Sequence, residues 1–285
     1  MKDTIVLYPA MDRGHLVPMV ELGKFIYTHH HTTLSIKILL PSPPNTTTLQ
    51  YISDVSAAAP SITFHHLSPA QHLLHTLQSF ISQSSKPKAF ILDFFNHSAC
   101  DITTSLNIPT YYYFPNSASC VALFLYTPTI HLKTKNGNYS TYNDTLRHIP
   151  GLPPLSPEDM PEPLLDRRSR SYAFIINISI QMRKSNGIIV NAFEKLENKA
   201  SLVLKNGEYV PEGDKTRVFC VGPLVSNGND DDSDCMSWLA TESKCCVFKF
   251  WKLWKVLEES VTGNSGWVGK KWRKVFVGCE GSNGE

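Results

Sequence analysis

Residues 4–40, TIVLYPAMDRGHLVPMVELGKFIYTHHHTTLSIKILL, decide the fold class. A short β-rich run, TIVLYPA, leads through a loop into the amphipathic helical pattern of GHLVPMVELGKFIYTH. A second apolar run, TLSIKILL, then ends at prolines. This order of strand, loop, helix and strand is the unit from which parallel sheets are built, because parallel neighbours need a long crossover connection.

The same alternation continues along the chain. Further strand-to-helix or strand-to-turn patterns are KPKAFILDFF with NHSACDITTSLN (86–107), IPTYYYFPNSAS (108–119), SNGIIVNAFEKLE (185–197) and the late strand RVFCVGPLV (217–225). We therefore predict an α/β protein with a Rossmann-like parallel sheet and helices on both faces. The proline-rich segment 149–167 is predicted to be a loop. The acidic run 225–234 favours a solvated linker over a calcium loop, because it lacks the spaced ligands and closing Glu.

Composition excludes several classes of function. A net charge of +2 over 285 residues provides no field that would recruit nucleic acid or an anionic membrane. The seven cysteines are scattered without a C-x-x-C pair, so neither a metal site nor a disulfide framework is predicted. No apolar run is long enough for a signal peptide or a membrane span, so we expect a cytoplasmic protein.

Polar residues follow three of the predicted strands, in PAMDRGHLVP, LDFFNH and FPNSAS. In an open α/β sheet, ligands bind beyond the carboxyl ends of the strands, near the point where strand order reverses. The first loop lacks the glycine patterns of dinucleotide and P-loop sites but provides His15, and the second provides Asp93. Such a carboxylate can orient an imidazole that takes a proton from a substrate hydroxyl. Spacing alone does not distinguish this base from a structural histidine.

The residues around His15 carry a family resemblance. Pro9, Gly14, His15, Pro18 and Leu22 form P-x-x-x-x-G-H-x-x-P-x-x-x-L, which resembles the opening of plant family 1 UDP-glycosyltransferases. Segments similar to that family follow in the same order: PTYYYFPNSAS, LFLYTPTIH, IPGLPPLSPEDMPEPLLDR, GIIVNAFEKLE, VGPL and CMSWL. The resemblance covers residues 1 to about 248 and is closest to members that glucosylate flavonoids and isoflavonoids.

The resemblance implies roles for individual residues. His15 would deprotonate a phenolic hydroxyl with Asp93 as its partner, and the oxygen would displace UDP from the sugar with inversion. Gly14 and Phe95 would contribute to substrate binding, Phe95 by lining an aromatic acceptor pocket. Phe94 and Phe95 are also candidates for core packing, and we expect this of one of them because neighbouring strand-end residues point in opposite directions.

One departure from the family concerns the donor sugar. Members usually have Thr-Ser or Thr-Ala where this chain has Pro115 and Asn116. The threonine hydroxyl that would meet the sugar is absent, and Asn116 or Ser117 is expected to replace it. The resemblance implies no metal and no cofactor, with the UDP-sugar as co-substrate, a phenolic acceptor, and a monomer.

The tail from 249 to 285 does not resemble the family as written. The family has two Rossmann-like domains in the GT-B arrangement, and no part of its donor motif occurs here, so the C-terminal domain is expected to be missing. Codons for KFWKLWKVL (249–257), read one base later, can encode SFGSYGRF, and 263–281 can encode EIAVGLEKSGERFLWVVR; both match family segments. The hypothesis is a frame slip near Phe248, from a gene lesion, a sequence error or a mispredicted splice. A basic amphipathic helix for a membrane surface or partner is the other interpretation.

We therefore predict an N-terminal acceptor-binding domain at 1–248 and an aberrant, poorly ordered tail at 249–285. The gene would encode a hexosyltransferase that uses UDP-glucose in plant secondary metabolism. This truncated chain is expected to be inactive, because nothing in it positions or stabilises the leaving UDP. The alternative is a non-catalytic module that binds small phenolics or another protein.

Overall fold

The computed structural model describes most of the chain up to Leu224. The described residues are 3–10, 12–30, 34–41, 43–67, 73–83, 86–134, 148–156, 159–210 and 216–224. The predicted linker at 225–234 and the predicted tail at 249–285 lie outside them.

The predicted parallel sheet is confirmed. Seven parallel strands occur in the described residues, in the order β3-β2-β1-β4-β5-β6-β7. Their bounds are β1 Asp3–Tyr8, β2 Leu34–Leu40, β3 Ile62–His66, β4 Ala89–Asp93, β5 Thr110–Phe114, β6 Gly187–Val190 and β7 Val218–Cys220. The chain builds outward from β1 to one side through β2 and β3, and then returns to β1's other side with β4. The strand order therefore reverses between β1 and β4.

Helices connect the strands. They are α1 Arg13–His30, α2 Thr46–Ala58, α3 Leu73–Gln83, α4 Ala99–Ser105, α5 Ala118–Lys133, α6 Glu162–Leu165, α7 Arg170–Lys184 and α8 Asn198–Asn206, with a 3-10 turn at Phe94–Asn96. The prediction that 149–167 lacks regular structure was wrong for the single turn of α6. Its Pro163 lies in the first turn of the helix, where a missing N–H removes no intrahelical hydrogen bond.

Two apolar clusters show that both faces of the sheet are covered. Alternate residues of a strand point to opposite faces. Accordingly, Phe90 and Leu92 of β4 pack with α5 and α7, whereas Ile91 between them packs with α1 and α2. No helix of the described residues is both long enough and apolar enough to cross a membrane.

Candidate functional site

The reversal of strand order between β1 and β4 places two loops side by side. Tyr8 of β1 lies opposite Leu92 of β4, so both strands end at the same level of the sheet. The loop after β1 leads into α1, and β4 ends at Asp93. Loops that diverge in this way from neighbouring parallel strands leave the crevice in which open α/β sheets bind ligands.

Asp12 builds the start of α1 and thereby places His15. Its Oδ1 accepts a hydrogen bond from the backbone N–H of Gly14 at 2.6 Å, and its carbonyl accepts the N–H of His15 and of Leu16 at 2.9 Å each. A Cβ on Gly14 would lie 2.9 Å from that Oδ1, so a larger residue would disturb the turn. His15 therefore stands in the first turn of α1, with its side chain 1% exposed.

Asp93 uses both carboxylate oxygens. Oδ1 accepts the backbone N–H of Phe95 at 3.0 Å, which caps the 3-10 turn. Oδ2 lies 2.7 Å from Nδ1 of His15, and Asp93 is fully buried. The predicted pairing of His15 with Asp93 is thus present in the structure, across 78 residues of sequence.

The other ring nitrogen of His15, Nε2, is left open by the contact with Asp93. A carboxylate can only accept hydrogen bonds, so Nδ1 carries a proton toward Asp93 and Nε2 of the neutral ring holds the lone pair. Nε2 is buried and has no hydrogen-bond partner within the described part of the chain. A buried polar atom without a partner is unusual in folded proteins. It is suited to accept a proton from a ligand hydroxyl.

Two opposing influences set the pKa of His15. Burial acts to lower it, because desolvation disfavours the charged ring. The charge of Asp93 and its hydrogen bond, with a smaller contribution from Asp12, outweigh burial and hold the pKa of His15 above its ordinary value. The imidazole is therefore a stronger base than a free histidine, and its protonated form has a partner in place.

Phenylalanine rings surround the histidine. Phe94 is fully buried and stacks on Phe114 at 4.4 Å between centroids. Phe95 is half-buried, and its ring meets that of His15 edge-on at 4.9 Å. The structure thus places Phe94 in the core and Phe95 at the site. The expected reason was wrong, because both residues belong to the 3-10 turn, with rings 4.2 Å apart rather than on opposite faces.

The loop after β5 contains the other two predicted site residues. The side-chain amide nitrogen of Asn116 is buried without a hydrogen-bond partner in the described residues. The hydroxyl oxygen of Ser117 accepts the N–H of Cys120 at 3.1 Å and so caps α5. Ser117 therefore has a structural task that the sequence prediction did not include, with only its hydroxyl proton left to donate.

Sequence reasoning missed three residues near the site. Glu197, from the loop after β6, binds the start of α5: its carboxylate accepts the N–H groups of Ala118 and Ser119 at 2.9 and 3.1 Å, and the Ser119 hydroxyl at 2.8 Å. Phe174 and His97 extend the aromatic surface beyond Phe95. Glu197 was part of a quoted family motif, and His97 ends the strand-end segment LDFFNH, but neither was singled out; Phe174 had no sequence signal. The described residues contain no cluster of three metal-binding side chains.

Comparisons with known proteins agree with this architecture. The chain is 73% identical over 263 residues to UDP-glycosyltransferase 13 of Pueraria montana var. lobata, with 87% of this chain and 58% of the relative covered. It is 40% identical over 276 residues to isoflavone 7-O-glucosyltransferase 1 of Glycine max, with 84% and 57% covered. No protein-family model matches the chain. The chain thus spans a little under three-fifths of the length of these relatives.

A solved structure matches similar shares of this chain and of its own chain. The UGT2 structure from Phytolacca americana, complexed with UDP-2fluoro-glucose and pterostilbene, superposes with a TM-score of 0.68 at 26% identity. The match covers 85% of this chain and 57% of that one. The described residues therefore have the fold of the amino-terminal half of GT-B glycosyltransferases.

Proposed function

We propose that this chain, which corresponds to the amino-terminal part of plant UDP-glycosyltransferases, carries the acceptor site and catalytic base for glycosylation of a flavonoid-like phenol. The observation that carries the proposal is the buried His15–Asp93 pair at the sheet's switch point, in which Nε2 of His15 has no hydrogen-bond partner among the described residues. The names of the relatives, an isoflavone glucosyltransferase among them, support the reaction class and a hexose donor.

The proposed reaction begins with a hydrogen bond from the phenolic hydroxyl to Nε2 of His15. The proton passes to Nε2 as the phenolic oxygen attacks the anomeric carbon of the sugar. The bond from that carbon to the UDP oxygen breaks on the opposite face, so UDP leaves with its electron pair and the configuration inverts. Asp93 stabilises the imidazolium that forms. Phe95, edge-on to the base, bounds the side on which the acceptor ring lies.

We further propose that Asn116 and Ser117 face the sugar of the donor. The unpartnered amide nitrogen of Asn116 is a donor that a sugar hydroxyl could accept from. The hydroxyl proton of Ser117 is a second donor, since only its oxygen is used by the helix cap. The remainder of the donor site would come from the part of the relatives that this chain does not match, so the chain alone binds acceptor without transferring sugar.

The tail is proposed to be a shifted reading frame. The match to the Pueraria relative leaves 13% of the chain uncovered, about 37 of 285 residues, which is as many as the proposed tail contains. The alternative-frame segments SFGSYGRF and EIAVGLEKSGERFLWVVR support a frame slip near Phe248. Sequencing the locus and transcript across the codons for Phe248 and Lys249 tests this. A frame that is intact there, and that encodes no donor domain downstream, would contradict it.

The base is tested with a nitrophenol, whose phenolate absorbs at longer wavelength than the phenol. Bound to the full 285-residue chain at neutral pH, the probe should show more phenolate than free in the same buffer, because its proton moves toward Nε2. His15→Gln should abolish this difference. His29→Gln, at the exposed far end of α1, is the matched control and should retain it. Identical spectra for the three proteins would refute the assignment of His15.

Transfer is tested separately. The chain is incubated with UDP-glucose and a flavonoid panel, with product analysis by mass spectrometry and binding measured by fluorescence quenching. We expect flavonoid binding without glucoside formation. Turnover would overturn the proposed inactivity while supporting the family activity. Absence of any flavonoid binding would overturn the acceptor site itself.

A further inference from the structure

A second aromatic layer extends the site beyond Phe95. Phe174, near the start of α7, lies nearly parallel to Phe95, with ring centroids 6.4 Å apart and planes inclined by 19°. Phe174 is half-buried, whereas its neighbours Tyr172 and Ile175 are almost fully buried. Those two residues anchor α7 in the core and so position the ring of Phe174 beside Phe95.

His97 completes this layer. Its ring meets that of Phe174 edge-on at 5.1 Å, and its side chain is half-buried. Within the described residues its imidazole makes no hydrogen bond, although its backbone carbonyl accepts the N–H of Cys100 at 3.0 Å. Burial lowers the pKa of His97, and Asp101 only partly opposes this, so the ring is neutral at neutral pH. A neutral imidazole offers one donor and one acceptor.

We propose that Phe174 and His97 form an outer recognition wall that selects the acceptor, with Phe174 contacting the acceptor's second ring and His97 hydrogen-bonding to a hydroxyl on it. The inference rests on the proposed function, since it requires a phenolic acceptor at His15. It adds residues that determine specificity: Phe95 adjoins the base, whereas Phe174 and His97 adjoin the part of the acceptor that does not react.

The chemistry of the wall fits a planar acceptor with two separate ring systems. Aromatic rings attract one another in stacked and edge-on arrangements beyond the gain from buried area. A half-buried imidazole without a partner discriminates in favour of ligands that satisfy it, because burying it against an apolar ring leaves its polar atoms unpaired. The wall therefore favours acceptors that carry a hydroxyl on the ring remote from the reacting oxygen.

The test uses two flavones that share the fused-ring hydroxyls and differ only in a hydroxyl on the isolated phenyl ring. The full 285-residue chain should bind the hydroxylated flavone about three- to tenfold more tightly, the effect of one net hydrogen bond. His97→Phe keeps an aromatic ring and removes the polar atoms, so it should bring this ratio to about one. Phe174→Ala should weaken binding of both flavones by roughly tenfold.

A second His–Phe pair supplies the matched control. Phe25 and His29 on α1 have ring centroids 4.4 Å apart and lie at the far end of that helix from His15. His29→Phe and Phe25→Leu should change neither affinity nor ratio, and unchanged thermal unfolding of each variant shows that it folds. If the chain binds both flavones but His97→Phe leaves the affinity ratio unaltered, the proposed recognition role of Phe174 and His97 is refuted, whereas the proposed acceptor site is retained. If the unaltered chain binds neither flavone, the proposed function fails.

Discussion

Replacing Asp93 with asparagine isolates the electrostatic part of the site. The side chain keeps its shape, and its oxygen can still accept the N–H of Phe95, so the 3-10 turn is retained. The amide nitrogen then faces Nδ1 of His15, at the position where Oδ2 lies 2.7 Å away. Since an amide nitrogen is a donor, Nδ1 must become the acceptor, and the proton of the neutral ring moves to Nε2. The substitution thus removes the lone pair from the reactive nitrogen.

The magnitude follows from burial and bond type. His15 and Asp93 are 1% and 0% exposed, so solvent does not screen the pair. A hydrogen bond to a charged group contributes roughly 1.5–3 kcal/mol, and we expect Asp93→Asn to lower the free energy of unfolding by about that amount. Without the carboxylate, burial dominates and the pKa of His15 should fall below its ordinary value instead of lying above it.

The sign of the pH dependence is specific. Because the folded pKa of His15 is raised, its stabilisation is fully present below the unfolded pKa of about 6.5 and is lost as pH rises through the folded pKa. In Asp93→Asn the folded pKa of His15 is expected to be lowered, so protonation of this ring at acidic pH destabilises the fold instead of stabilising it. The difference in unfolding free energy between the two proteins should therefore be largest below the unfolded pKa of about 6.5 and should shrink as pH rises through the raised folded pKa of His15.

Urea unfolding at several pH values measures this difference, and nitrogen-15 NMR of the His15 ring reports its tautomer and pKa. Taking the difference between the two proteins cancels the other histidines. The reasoning is refuted if Asp93→Asn leaves the pKa of His15 unchanged, or if the loss of stability is the same at every pH.

Two further predictions concern stability. Glu197→Ala removes the carboxylate that binds the first turn of α5 and should lower the free energy of unfolding in urea by about 1–2 kcal/mol. The control Glu194→Ala removes an exposed carboxylate paired with a lysine and should lower it by less than about 0.5 kcal/mol. Equal losses for the two variants would contradict the role of Glu197 in holding α5. His131 has its pKa lowered by burial and by Arg167, so its stabilisation is present above about pH 6.5 and is lost as pH falls. Between neutral and mildly acidic pH, the free energy of unfolding measured in urea should accordingly fall less for His131→Gln than for the unaltered chain. If the two proteins lose the same free energy over this pH range, the prediction is contradicted.

The fold and the contact between His15 and Asp93 were predictable because their signals are local or follow from topology. Apolar runs mark β1 and β4, and the rule for strand ends then brings His15 and Asp93 together. The orientation of Phe94 relative to Phe95 was misjudged because Asp93 caps a 3-10 turn, so the strand alternation ends at Asp93, before either phenylalanine. From sequence alone, an acidic residue that caps a turn at the end of a strand cannot be distinguished from one that does not.

The residues that were not predicted act across long separations. Glu197 meets Ala118 at a sequence distance of 79 residues, and nothing in EKLE distinguishes a carboxylate that binds a distant helix start from a solvated one. Phe174 lies in a helix whose apolar pattern marks it for packing, so its half-exposure at the site depends on how α7 lies against the 3-10 turn. Such contacts follow from tertiary packing, which propensity and periodicity do not encode.

The geometry of the base depends on a small part of the chain. Asp12 sets the first turn of α1, Asp93 closes β4, and the pairing of β1 with β4 joins them. Among the described residues, the hydrogen bonds that orient His15 thus come from the first 95 positions. A buried ion pair is costly unless its partners are fixed by the surrounding structure, and here that structure is the sheet itself. The proton-accepting role proposed for His15 therefore rests on other residues than Asn116 and Ser117, which are proposed to face the donor. Under the proposal, the residues that hold this pair bind an acceptor and take its proton, whereas stabilising the leaving diphosphate requires groups beyond them. Acceptor binding without transfer is therefore the behaviour that the proposal requires of the 285-residue chain.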